Sequence, residues 1–129
     1  MRERSTRQRE AIRSVFETAG APLTPEEVLE AARRSTPHLG IATVYRTIAA
    51  LLREGWLAQV AVPGTAPRYE REDGGHHHHF RCRACDRVFD VGASDEELLD
   101  RLPAGFELEG HSVVLYGRCA DCARGGSVT

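Results

Sequence analysis

Residues 76–90 read His76-His77-His78-His79-Phe80-Arg81-Cys82-Arg83-Ala84-Cys85-Asp86-Arg87-Val88-Phe89-Asp90, so four imidazoles, a C-x-x-C knuckle and a trailing carboxylate fall within fifteen positions. Nitrogen, sulfur and oxygen donors in this mixture are what a divalent transition metal recruits. A second knuckle, Cys119-Ala120-Asp121-Cys122, begins 37 residues after Cys82, and the two pairs use all four cysteines of the chain. Two C-x-x-C pairs converging on one ion close a tetrahedral thiolate shell, which is the arrangement of structural zinc. A redox dithiol or disulfides would use the same residues, but no apolar leader precedes them and a two-residue gap is knuckle spacing. An affinity tag is the bland alternative for the histidines; the run is internal, short and leads straight into the first knuckle.

On an extended segment successive side chains point to opposite faces, so four histidines in a row cannot all serve one ion. His77 and His79 face one way and His76 and His78 the other, which gives two half-sites of two imidazoles each. Glu70, Glu72 and Asp90 lie near the first pair in sequence, and Glu97 and His111 are candidates to complete the second. Mixed nitrogen and oxygen sites of this kind suit an exchangeable Zn(II), Fe(II) or Mn(II) ion. A catalytic metal would instead need an open coordination position with a general base beside it, and zinc deaminases carry His-x-Glu before their cysteines. The chain has no His-x-Glu, no phosphate loop and no nucleophile elbow, so a zinc-dependent enzyme is the weaker alternative.

The elements that must position these ligands fit within 129 residues, enough for one mid-sized domain or two small ones, the latter needing a staple such as zinc. With 41% apolar and 28% charged residues and no apolar run of about 18, the composition is that of a soluble globular protein, expected in the cytoplasm. Charge divides the chain. Residues 1–72 carry 11 Arg against 9 Glu, whereas residues 73–129 carry 6 Arg against 10 acidic side chains. A cationic half can approach phosphates while the anionic half holds cations.

An arginine-rich arm containing Arg4 and Arg9 leads into a helix whose apolar positions Ile12, Val15, Phe16 and Ala19 follow helical spacing, ended by Gly20. Thr24-Pro25-Glu26-Glu27 opens a second helix with a capping box. The third, from Ile41 to Glu54, carries one stripe of Ile41, Val44, Ile48, Leu51 and Leu52, which leaves Thr43, Tyr45 and Arg46 off the stripe, residue types that contact phosphates and base edges. Residues 56–62 and 68–72 then read as a hairpin, so the first half is expected to be a winged helix-turn-helix that binds DNA. Asp73-Gly74-Gly75 is a joint. Beyond it, strands at 87–91, 106–108 and 112–116 with a helix at 94–102, capped by Ser94 and Glu97, make the chain α+β. The expected organisation is a DNA-binding domain over 1–72, a hinge at 73–75 and a small α/β dimerisation and metal-binding domain over 76–129.

Taken in this order, the motifs resemble the ferric uptake regulator family of metal-dependent bacterial repressors over nearly the whole chain. The most specific pieces are Thr6-Arg7-Gln8-Arg9, the run Gly40 to Arg46, the run His76 to Cys85, His111-Ser112 and the run Leu115 to Cys119. The resemblance implies a homodimer that binds a palindromic operator when loaded with metal. By position it makes Tyr45 and Arg46 the base- and backbone-contacting pair and Arg4 the basic residue of the minor groove. It also makes His77, His79 and Asp90, with Glu70, the regulatory site, and His76, His78, Glu97 and His111 a second site. Two departures stand out. Pro22 occupies the place of a histidine ligand usual in the iron and peroxide sensors, and Glu72 the place of a hinge cysteine in the zinc sensors. The donors that remain suit manganese or iron as well as zinc, with a slight lean to the zinc branch.

Overall fold

Ile12 and Phe16 stand one turn apart, and the same four-residue spacing recurs at Val28 and Ala32 and at Val44 and Ile48, so three helices each present an apolar stripe. The computed structural model describes residues 2–72, 78–92 and 96–125, and the chain divides into two units, Met1–Gly75 and His76–Thr129. In the first unit α1 (Arg2–Ala19), α2 (Pro25–Ala32) and α3 (Ile41–Arg53) bring those stripes together with Leu39, Leu51 and Leu57 into one buried core. Fully burying each Val, Leu, Ile or Phe side chain of this core contributes about 1.5–3 kcal/mol. The arginine-rich opening is helical from Arg2 onward, not an arm outside the helix, because Arg, Glu and Gln are good helix formers.

The helix ends follow from local chemistry. At α2 the Glu27 N–H donates to Thr24 Oγ1 (3.2 Å) and the Thr24 N–H to Glu27 Oε1 (2.8 Å), with Pro25 in the first turn. At the end of α3 the Gly55 N–H donates to the Leu52 carbonyl (3.1 Å) and the Trp56 N–H to that of Leu51 (2.9 Å). This double bond pattern needs a left-handed residue at position 55, and Gly55 supplies it at φ +79°. The chain therefore leaves α3 directly into a hairpin, in which β1 (Leu57–Val60) pairs antiparallel with β2 (Arg68–Arg71), from Leu57 opposite Arg71 to Val60 opposite Arg68. Leu23 extends the wing through a two-bond bridge to Tyr69, both bonds 2.8 Å. Ile41 departs from expectation: it is exposed, and the buried stripe of α3 begins at Val44.

The second unit holds β3 (His78–Cys82), β4 (Val88–Val91), α4 (Glu96–Asp100), β5 (Val114–Gly117) and α5 (Ala120–Gly125). Its sheet runs β4-β3-β5, with β3 antiparallel to β4 and parallel to β5. Among the described residues a buried cluster joins Cys82, Cys119 and Cys122 with Phe80, Cys85 and Phe89. Thiols thus make up much of this cluster, so an ion bound to them would bear directly on the fold of the unit. Residues 106–108 are not a strand. Among the described residues β4 and β5 are the sheet edges and neither pairs with that segment; Phe106 and Leu108 lie exposed after a turn at Gly105. Leu115 and Tyr116 are exposed too, so within one chain β5 is not covered on both faces. The joint at 73–75, His76, His77 and Ser94 lie outside the described residues. No described helix is long and apolar enough to cross a membrane.

Candidate metal centres and nucleic-acid interface

β3 ends at Cys82, whose N–H donates to the Arg87 carbonyl (2.9 Å) while the Asp86 N–H donates to the Cys82 carbonyl (2.8 Å), closing a tight loop around the first knuckle. Asp86 sits at φ +64°, a conformation Asp tolerates better than most side chains, and its carboxylate accepts a bond of 2.9 Å from Arg81. The second knuckle begins at Cys119, where β5 has ended and α5 starts; the Ala123 N–H donates back to the Cys119 carbonyl (2.8 Å). Because β5 lies parallel to β3, with Cys82 opposite Gly117, the two knuckles leave the same end of the sheet.

The sulfurs of Cys82, Cys85, Cys119 and Cys122 consequently all lie within 4.8 Å of one another, with Cys85 and Cys119 at 3.9 Å. Four thiolates bound at about 2.3 Å around one zinc would have sulfurs about 3.8 Å apart, so the set fits that ion as a closed shell. None of the four is in a disulfide. Without a cation the cluster cannot ionise evenly. Backbone N–H groups, that of Cys119 first, hold Cys82 down at about 6 against burial, and the Cys122 N–H lowers Cys119, whereas burial and the neighbouring thiols push Cys122 up to about 12. A divalent ion supplies the positive charge that lets all four be thiolates.

A second set of donors lies across the β3–β4 ladder. His79 is the register partner of Asp90, and its Nε2 stands 3.3 Å from Asp90 Oδ1. That carboxylate oxygen is buried and has no hydrogen bond among the described residues. A buried carboxylate oxygen beside an imidazole nitrogen is costly unless a cation completes it, and the pair fits a borderline divalent ion. His77 lies outside the described residues; Glu70 is half-buried on β2 and Glu72 exposed after it, both in the first unit. His78 points away from His79, as strand alternation requires, and is buried with its ring centroid 6.0 Å from that of His111. Glu97 is exposed on α4, and no group of three or more ligands gathers around His78 among the described residues; His76 is outside them.

In the first unit Tyr45 and Arg46 are exposed on α3, with the Arg46 guanidinium donating to Thr43 Oγ1 (3.1 Å). Two partners of the candidate DNA residues were not legible in sequence. The Tyr45 hydroxyl donates to Glu26 Oε2 (3.1 Å), which raises its pKa, and Arg9 forms an ion pair with Glu54, which lowers that carboxyl. Arg4 is exposed and lines a groove with Arg7, Thr36 and His38. Arg87 was missed outright: it donates to two of the knuckle sulfurs, and nothing in its spacing announces that.

Residues 2–116 match the ferric uptake regulator family. The chain is similar to the ferric uptake regulation protein of Campylobacter jejuni, at 30% identity over 125 residues, covering 91% of this chain and 78% of the relative. It is likewise similar to the zinc uptake regulation protein of Mycobacterium tuberculosis, at 33% over 122 residues, covering 92% and 94%. Among solved structures, a zinc-bound manganese uptake regulator superposes with a TM-score of 0.76 at 27% identity, over 87% of each chain. The winged helix, the four-thiol cluster and these similarities lead to one assignment: the chain belongs to the ferric uptake regulator family.

Proposed function

We propose that this chain is a metal-responsive transcriptional repressor of metal uptake or homeostasis genes, binding a palindromic operator as a homodimer when its regulatory metal is loaded. The family consists of transcription regulators, not enzymes. The observation that carries the reading is the contrast between two donor sets: four sulfurs that close a shell on themselves, and a His79–Asp90 pair whose buried oxygen is left for a cation. The first set holds Zn(II) as part of the fold. The second, with His77 and an oxygen from Glu70 or Glu72, holds an exchangeable Zn(II), Mn(II) or Fe(II). His76, His78, Glu97 and His111 form a second exchangeable site. Relatives named for iron and for zinc match to a similar degree, so the donors and not the names must choose the metal.

DNA is read by Thr43, Tyr45 and Arg46 at the start of α3, with Arg4 and Arg9 on α1 toward the backbone and minor groove. The apolar surface of Leu99, Phe106 and Leu115 supports pairing of the second unit with its own copy. Regulation follows from a ligand set drawn from both sides of the joint, because loading it restricts the pair of α3 helices to the spacing of the two half-sites. A mild chelator should abolish the operator gel shift while about one tightly held zinc per chain remains; DNA binding that is equal with and without added metal would mean a constitutive binder instead.

A further inference from the structure

Between the two knuckles sits a side chain that belongs to neither. Arg87 Nε donates to Cys85 Sγ (3.2 Å) and its Nη2 to Cys119 Sγ (3.2 Å) and to Asp121 Oδ2 (3.2 Å), while its Cζ stands 5.3 Å from the centre of the Phe89 ring. One guanidinium thereby spans the first C-x-x-C and the second, which the chain separates by more than thirty residues. A planar fork with fixed N–H directions can do this; an ammonium cannot address two sulfurs and a carboxylate in the same geometry.

We infer that Arg87 is a positioning residue for the structural metal: it clamps the two knuckles in register and draws off part of the thiolate charge, so that the ion is retained and the sulfurs are slow to react. The inference rests on the four-thiol cluster being a zinc site. A zinc ion with four thiolates carries two net negative charges, and sulfur is attacked by electrophiles in proportion to the electron density it keeps. N–H···S bonds reduce that density without removing a ligand, and partners of this outer kind commonly change metal affinity 10- to 100-fold. Cys82 and Cys122 receive no bond from Arg87 among those described, so protection is expected at Cys85 and Cys119.

The test compares the full-length zinc protein with Arg87→Met, which keeps an unbranched apolar side chain but loses charge and donors, with Arg87→Lys, which keeps the charge but not the planar fork of donors, and with Asp121→Asn. Zinc release to a colorimetric chelator is followed during alkylation by N-ethylmaleimide, and the sulfur-to-metal charge-transfer bands are recorded on the Co(II)-substituted proteins. Arg87→Met should release zinc roughly 10-fold faster or more, Arg87→Lys at an intermediate rate, and Asp121→Asn close to the parent. The bands of Arg87→Met should move to longer wavelength, a shift that loss of a merely structural contact does not produce. Should Arg87→Met fail to fold, Arg87→Lys carries the comparison. Parent-like rates and bands in the variants that fold would overturn the clamp while leaving the zinc site standing; a parent that holds no zinc would overturn both.

Discussion

Cys82 is wholly buried in a core made largely of its fellow ligands, so its replacement removes a metal donor and a core side chain together. Binding of a structural zinc contributes on the order of 10 kcal/mol, comparable to the entire stability of a small domain. Cys82→Ser should therefore lose the zinc and unfold the second unit while the helical core around Ile12 and Leu51 persists; near-ultraviolet and far-ultraviolet circular dichroism with metal analysis would show it. At the DNA surface Arg46→Ala should cost about 1–3 kcal/mol in operator binding, and Arg4→Ala should weaken binding more evenly across sequences and reduce its salt dependence. Fluorescence anisotropy at two salt concentrations separates the two. At this scale the sequence was most informative about the four cysteines, whose knuckle spacing announces the cluster that the fold brings together. It was silent on Arg87, Glu26 and Glu54, whose partners lie 2 to 45 positions away and are selected only by the fold.

The elements divide along the same line. Helices whose ends carry their own signals were legible: the Thr24–Glu27 box and Gly55 define α2 and the end of α3 through bonds within a few residues. Thr24→Ala should accordingly destabilise the first unit by about 0.5–2 kcal/mol in a denaturant melt, with zinc content unchanged. Elements defined by distant partners were less legible. Among the described residues the segment at 106–108 has strand composition but no ladder to join, α5 is a short helix set by the second knuckle, and α4 ends at Asp100, before the Leu102 its pattern implied. Ile41 has helical spacing with the buried stripe yet lies beyond the edge of the core, on the end of α3 that also exposes Tyr45 and Arg46.

The whole molecule is expected to work as two copies with two kinds of metal site, one structural and one exchangeable. Exposed Leu99, Phe106 and Leu115 on the second unit are expected to be covered by the second copy, and light scattering of the zinc protein at micromolar concentration should give a dimer. Coupling between regulatory metal and operator of about 1–3 kcal/mol is expected, and it must be reciprocal, so operator DNA tightens metal binding by the factor by which metal tightens DNA binding. Metal sensing is proposed to lie in the set containing His77, His79 and Asp90. The deciding experiment titrates Zn(II), Mn(II) and Fe(II) separately into the parent and the His77→Ala, His79→Ala double variant, with and without operator. The double variant should keep its structural zinc and its fold but lose metal-dependent operator binding, while the parent responds to its effector. A double variant whose metal-dependent gel shift equals the parent's would contradict it and transfer the sensing role to the set containing His76, His78, Glu97 and His111.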